Sequence, residues 1–543
     1  MTFTIDRRRL VLGAGAGLAA LTLPGGVSLA QGLLAARGFT HGLASGEPAA
    51  DSMLLWTRFV PGGNADAVRL TAEMATDAAF AKVVAGGSVQ TGGWRDWTAK
   101  LTVTGLRPGT TYYYRFIAPD GTISATGRTR TLPVGPVSRF GLGVFSCSNL
   151  PVGHFNAYGH AALRGDMDLW LHLGDYIYES GRPQPDAANV LAARVLALEP
   201  AHEILALADY RMRLACYRAD PDLQRLHQLA PMIAQWDDHE SANDSWEGGA
   251  GQHQPDEGEW SARKAAAMQA YREWMPVSDE PWKTYAIGDL ATLYRTESRL
   301  LGRTRQIDMA PALAAGDPAA LAAFRDGPWQ DPAATMLGFA QEAWLADALA
   351  RNARSTAWQL VGMGTITGRT SPPPQIVDWL RPDTAGPRVA FWRDAIRAGR
   401  AGIPMWMDRW DGYPAARARM LAAAQAADAD LVMLAGDSHN AWAFQLAHDG
   451  RPAGVEFAGQ AVSSNGVETG LAVDPAIVAR GFVAANAELR WCDTSRRGYM
   501  MIDLTPQRVT GEWQFLNTVA ERDLTLAGTH RMSVERGRRI FAT

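Results

Sequence analysis

The feature that most constrains this chain is a set of unbroken apolar runs, each followed at once by polar groups. The runs are Phe140 to Phe145, Leu169 to Leu173, Met232 to Trp236, Trp358 to Met363 and Leu431 to Ala435. Helical stretches separate them, among them Leu191–Leu198, Glu203–Cys216 and the amphipathic Ala415 to Ala427. Strands buried on both faces and alternating with helices make an α/β domain, whose ligands gather at the carboxyl ends of the strands. Four of these ends read Ser146-Cys147-Ser148-Asn149, Gly174-Asp175-Tyr176-Ile177-Tyr178-Glu179, Asp237-Asp238-His239-Glu240 and Gly436-Asp437-Ser438-His439-Asn440. One aspartate after a strand is ordinarily a helix cap. Four ends carrying Cys, Asp, Tyr and His together read as a metal site.

The chain before this region follows a different pattern. From about Phe39 to Leu132, short alternating runs lie between Gly and Pro turns: Ser52 to Arg58, Ala67 to Met74, Ala99 to Val103 and Tyr112 to Ile117. That spacing predicts a β-sandwich over 39–132. The segment Leu106-Arg107-Pro108-Gly109-Thr110-Thr111-Tyr112-Tyr113-Tyr114 resembles the tyrosine corner of fibronectin type III domains. The α/β region is expected over 137–520, with strands returning at Gly454 to Phe457 and Tyr499 to Phe515, and with 521–543 as a C-terminal segment. The Ala-rich stretch 310–323 is expected to form a surface excursion.

The first thirty residues read as an address. Asp6-Arg7-Arg8-Arg9-Leu10 precedes a short apolar stretch, Val11 to Leu23, and small residues at Ser28-Leu29-Ala30. This resembles a twin-arginine signal over 1–30 with cleavage after Ala30, and it implies export through the twin-arginine machinery to the periplasm or the medium. No later stretch is long and apolar enough for a membrane span, so no stable membrane insertion is expected.

Composition narrows the chemistry. Among 543 residues, 52 basic and 56 acidic side chains give a net charge of −4. No global attraction to nucleic acid follows from this, and an anionic substrate must be captured locally. Three cysteines, Cys147, Cys216 and Cys492, cannot build a disulfide framework, and none has CxxC spacing. Gly-x-Ser-x-Gly is absent, the Gly-rich runs lack the Lys of a phosphate loop, and Gly13-Ala14-Gly15-Ala16-Gly17 falls in the leader.

The ordered set is more specific than any one motif. Gly-Asp, then Asp-His-Glu where Asn-His-Glu is usual, then Gly-Asp-Ser-His follow the order of calcineurin-like metallophosphatases. The spellings His172-Leu173-Gly174-Asp175-Tyr176-Ile177-Tyr178-Glu179, Trp236-Asp237-Asp238-His239-Glu240 and Asp408-Arg409-Trp410-Asp411-Gly412-Tyr413 resemble the PhoD family of alkaline phosphatases. So do Gly42-Leu43-Ala44-Ser45-Gly46-Glu47-Pro48 and Leu55-Trp56-Thr57-Arg58. The resemblance implies a metallophosphatase sheet sandwich of the four-layer type behind the N-terminal fibronectin-like module, and a ferric ion with two calcium ions. A lone thiolate with a phenolate suits trivalent iron, and Asp, Asn and backbone oxygens suit calcium. On this reading Cys147, Asp175 and Tyr178 hold iron, completed by Asp437 or His439. Asp175 bridges to a neighbouring metal, Asp238 and Asn243 serve the harder ions, and Asp237 is either a ligand or the partner of one.

The implied reaction is hydrolysis of small phosphate monoesters, diesters or both. Clustered metals acidify a water, which attacks phosphorus as hydroxide in line with the leaving oxygen, and they neutralise the equatorial oxygens. His239 is the candidate acid for the leaving alkoxide, by analogy with the His of the usual Asn-His-Glu motif. Arg299, in Glu297-Ser298-Arg299, falls where the family carries an Asp-x-Arg sequence and is the candidate phosphate holder. A dedicated phosphodiesterase or phospholipase-like enzyme on the same fold is the alternative, with the loops Gly248–Glu259 and Thr370–Ala385 deciding. A binding protein with a degenerate enzyme domain predicts missing ligands, whereas the ligand set here is kept.

Overall fold

The computed structural model describes residue 32 and residues 36–404 and 406–542. The twin-arginine leader expected over 1–30 lies outside these residues. No helix among the described residues is long and apolar enough to cross a membrane.

Two mixed sheets stack face to face. The first has nine strands in the order Leu526–Glu535, Arg508–Leu516, Gly498–Leu504, Phe140–Phe145, Leu169–His172, Met232–Ala234, Gly38–Gly46, Ser52–Val60 and Thr98–Thr104. The second has seven: Lys283–Ile287, Ala291–Arg295, Trp358–Met363, Leu431–Ala435, Arg451–Ala458, Ala441–His448 and Leu489–Asp493. Their facing sides bury one core, in which Leu142, Leu169 and Leu171 of the first sheet meet Leu360, Leu434 and Phe457 of the second. The outer face of the first sheet is covered by helices Asn156–Ala162, Leu207–Arg218, Pro221–Leu229 and Trp260–Trp274, through residues such as Tyr158, Leu214, Leu226 and Trp274. Helices Phe339–Asn352, Gly386–Arg400, Pro414–Ala426 and Pro475–Ala485 cover the second through Leu349, Trp392, Leu421 and Phe482. This is the four-layer arrangement that the family resemblance implies.

The N-terminal strands form a sandwich. A four-stranded sheet, ordered Val83–Gly92, Ala67–Ala75, Thr111–Ile117 and Gly127–Arg130, packs on strands Gly38–Gly46, Ser52–Val60 and Thr98–Thr104 around Leu55, Leu70, Met74 and Tyr114. The tyrosine corner is formed, with the Arg107 backbone N–H donating to the Tyr112 hydroxyl at 2.8 Å. One sheet of the sandwich continues into the α/β body, because Gly46 pairs in parallel with Met232. At the other end, Leu526–Glu535 pairs antiparallel with Arg508–Leu516. The division expected at 520 therefore falls between two neighbouring strands of one sheet. The Ala-rich stretch folds as helices Ala310–Ala314 and Pro318–Asp326 over a small cluster of their own.

Strands 140–145, 169–172 and 232–234 are mutually parallel, as are 291–295, 358–363, 431–435 and 451–458. Their carboxyl ends open on the same edge of the sandwich, where the loops of the two sheets interlock. The N–H of Val462 donates to the Ser146 carbonyl at 2.9 Å, and the N–H groups of Ser463 and Ser464 donate to that of Cys147.

Candidate metal centre

The loops at this edge hold their donors by unusual backbone. Cys147, Asp175, Asp437 and His439 all have left-handed φ, between 56° and 63°. Such strain in non-glycine residues persists only where the surroundings over-determine it, and it concentrates at functional sites. The Cys147 N–H donates to the Gly174 carbonyl at 3.2 Å and that of Ser148 to Asp175 at 2.9 Å, so the first two loops form a unit. Gly174, at φ +112°, lies so close to Asp237 that a Cβ there would meet the Asp237 Cβ at 2.3 Å.

Glu240 binds the second loop to the third. Its carboxylate accepts the N–H groups of Asp175 at 3.0 Å, Tyr176 at 2.5 Å and Asp237 at 2.7 Å. Burial nevertheless pushes this carboxyl up to about 7, against those three hydrogen bonds. Glu179, fully buried, accepts the Asn243 N–H at 2.7 Å on one oxygen and holds His239 Nδ1 at 2.6 Å on the other. The His239 ring also packs against Tyr178, centroids 4.2 Å apart.

Three groups of donors result. The ligand atoms of Cys147, Asp175 and His439 lie within 4.8 Å of one another, as do those of Asp175, Asp238 and His239, and those of Asp238, Asp244 and Asp408. Asp175 is common to the first pair of groups and Asp238 to the second pair. The Tyr178 hydroxyl joins the first group, 3.2 Å from Asp175 Oδ2 and 3.3 Å from His439 Nε2, with Ser464 Oγ at 2.6 Å.

The expected residues thus converge, with differences. His439, rather than Asp437, shares the first group. Asp437 accepts from Thr365 Oγ1 at 3.0 Å and from Arg409 Nε at 2.9 Å. Asn243 is tied through its backbone to Glu179, while its neighbour Asp244 supplies a carboxylate to the third group. Arg299 is not placed to hold a phosphate. It is 0% exposed, its Nε and Nη2 grip Asp237 at 2.6 and 3.1 Å, and its Nη1 reaches Asp408 at 2.7 Å. The guanidinium is spent on holding acids: the buried Asp237 and Asp238 and the half-buried Asp408 lie beside one another, and Arg299 is the cation between them. Asp237, bound at both oxygens by Arg299, acts as its partner. Arg303, also bonded to Asp408, completes the network. The sequence reading missed Asp244 and Asp408 as donors and gave Glu179 and Glu240 no role.

The chemistry of the first group fits a cation. Burial pushes the Cys147 thiol, the Tyr178 phenol and the Asp175 carboxyl up, with nearby anions adding to each shift, and pushes His439 down to about 4. Each donor is penalised for its own ionisation or protonation, and a central cation relieves all four at once. Asp175 Oδ1 is buried with no hydrogen-bond partner among the described residues. The third group is all carboxylate, the donor type of a hard ion.

A four-layer sandwich with linked donor groups at its shared strand ends is the architecture of the metallophosphatases. Residues 142–513 match the family described as PhoD-like phosphatase, and residues 27–133 match its N-terminal domain. Alkaline phosphatase D of Bacillus subtilis (strain 168) is 30% identical, over 95% of this chain and 85% of that protein. A solved structure of PhoD aligns at 26% identity with a TM-score of 0.76, covering 94% of this chain and 92% of that one. A purple acid phosphatase from yellow lupin (Lupinus luteus) seeds shares the fold at 12% identity and a TM-score of 0.55, over 93% of this chain and 75% of the other. The chain belongs to the PhoD-like phosphatase family and is a phosphoric ester hydrolase.

Proposed function

We propose that this protein is an exported alkaline phosphatase that holds one ferric ion and two calcium ions and hydrolyses phosphate monoesters, diesters or both. The observation that carries the reading is the sharing of Asp175 and Asp238 among three overlapping donor groups, which supports a linked cluster of cations. Cys147, Asp175, Tyr178 and His439 would hold iron. Asp175, Asp238, Asp244 and Asp408, with Asn243 nearby, would hold calcium. When bound, the metals acidify a water nucleophile and neutralise charge on the phosphoryl oxygens.

The chain's own residues do the rest. Glu179 fixes the His239 ring through Nδ1, which leaves Nε2 to donate a proton to the leaving oxygen. Arg299 and Arg303 hold Asp237 and Asp408 in position. Glu240 sets the spacing of Asp175 and Asp237 through three backbone N–H groups. The Arg7-Arg8-Arg9 leader supports twin-arginine export to the periplasm or the medium.

The test is elemental analysis of the protein as isolated, with calcium removed by chelation and then restored, assayed on p-nitrophenyl phosphate and bis(p-nitrophenyl) phosphate. Iron and calcium near one and two per chain, with activity that follows calcium, are expected. A colourless, iron-free and fully active preparation would overturn the metal assignment.

A further inference from the structure

The loop between helices Gly386–Arg400 and Pro414–Ala426 carries one cation, Arg409, that pairs with Asp437 beside the site through Nε alone. Arg409 donates from Nε to Asp437 Oδ2 at 2.9 Å, and its two terminal nitrogens make no hydrogen bond among the described residues. Its side chain is 13% exposed, in contrast to the enclosed Arg299. The guanidinium lies over the Trp406 ring, 5.1 Å from its centroid, and Trp406 faces Phe391 at 5.2 Å. Phe391 is 39% exposed and Trp406 is half-buried. A ledge of one cation and two aromatic rings therefore runs outward from Asp437, two residues from His439.

Packing accounts for only part of it. The inner edge of Trp406 rests on Trp392, 6.5 Å away at 80°, and on the core of the second sheet. That contact explains an aromatic residue but not an outer ring left open beside a guanidinium whose terminal nitrogens are unengaged. Arg409 bound to Asp437 and stacked on Trp406 is held in one orientation, which is what recognition of a phosphate oxygen requires. An open aromatic face next to such a site suits a flat ring carried by the ester, because every base presents a π-face to stack.

We infer that Arg409, Trp406 and Phe391 form the subsite for the alcohol portion of the substrate and select phosphate esters whose alcohol bears a planar ring, of which nucleotides are the type. Arg409 holds a phosphoryl oxygen through its terminal nitrogens, and Trp406 stacks on the ring while Phe391 extends the surface. The inference rests on the phosphatase reading above.

Adenosine 5′-monophosphate and ribose 5-phosphate separate the two ideas, since they share a primary phosphate ester and differ by the base. With metal-loaded full-length protein, kcat/KM is expected to favour the nucleotide by about tenfold, the scale of one base–aromatic stack. Trp406→Ala removes that preference, Trp406→Phe keeps most of it, and Arg409→Gln raises KM for both substrates alike. If Trp406→Ala does not fold, Phe391→Ala, at an exposed position, reports the same ratio. Equal kcat/KM for the two substrates in the unmodified protein, a preference that survives Trp406→Ala, or a loss that falls equally on both substrates overturns the subsite. If the unmodified protein cleaves neither these esters nor bis(p-nitrophenyl) phosphate, the phosphatase reading fails first and the subsite falls with it; cleavage of bis(p-nitrophenyl) phosphate alone overturns the subsite and leaves that reading standing.

Discussion

Glu179 Oε2 lies 2.6 Å from Nδ1 of His239, and the glutamate is wholly buried. Burial alone would lower the histidine, but the carboxylates of Glu179, Asp175 and Asp238 outweigh it and hold the imidazolium well up. An acid that must be protonated to act loses activity as pH rises through its pKa. Replacing Glu179 with Gln removes the nearest anion, so the His239 proton leaves at lower pH. Glu179→Gln should shift the alkaline limb of kcat/KM to lower pH and reduce kcat roughly 10- to 100-fold, as loss of an orienting partner does. A pH–rate profile checks this, and an unmoved alkaline limb would remove Glu179 from the mechanism.

Asp175 and Cys147 differ in how many donor groups they serve, one in two and the other in one. Asp175→Asn should therefore cost both iron and a calcium and lower kcat/KM by at least about 100-fold, whereas Cys147→Ser should deplete iron with calcium largely kept. Metal content per chain and the visible absorption of the purified variants distinguish them. Equal calcium loss in both would show that the groups are not linked through Asp175.

Much of this was legible because buried parallel strands read as unbroken apolar runs. Phe140–Phe145, Trp358–Met363 and Leu431–Ala435 form where those runs lie, and the donors follow at once on the chain. Asp244 and Asp408 were not legible as donors. They sit in loops without periodicity, and Asp408 reaches Asp238 across 170 positions of sequence. Asp408 opens the spelling Asp408-Arg409-Trp410-Asp411-Gly412-Tyr413 and Asp244 follows Asp238 by six positions, but neither placement marks a ligand. Arg299 shows a different limit: its type and place were found, but a sequence does not say whether a guanidinium faces substrate or three carboxylates. The domain division was blurred by one pair, Gly46 with Met232, which runs the sandwich strands into the nine-stranded sheet of the α/β body without any mark in composition.

Arg299 should matter for the fold before it matters for turnover. Removing a cation that grips the buried Asp237 and the half-buried Asp408 leaves both acids without their partner, a loss of about 3–5 kcal/mol. Arg299→Gln should show it as a lowered denaturant midpoint, and Arg299→Lys should restore little, since an ammonium cannot bind Asp237 at both oxygens while reaching Asp408. Unfolding at the parent midpoint would mean that the acids are neutralised by something else.

The same acids give the metal-free protein a distinct pH dependence. Burial pushes Asp237 up to about 8 despite Arg299, and Glu240 and Asp244 up to about 7. A carboxyl whose folded pKa exceeds its unfolded value keeps its proton longer in the fold. Its stabilising contribution is complete below about pH 4 and is lost as pH rises through 7 to 8. Asp238, pulled down chiefly by Arg299 against its burial, acts in the opposite sense, but it finishes ionising below this window. Chelated protein should therefore show a Tm that falls from pH 5 to pH 9. Metal-loaded protein should lose that slope, because cations take the place of the protons, and the gap between the two curves should widen with pH. Calorimetry at fixed ionic strength with chelator or with metal reads both curves, and parallel profiles would show that bound metal does not displace the protons of these carboxyls.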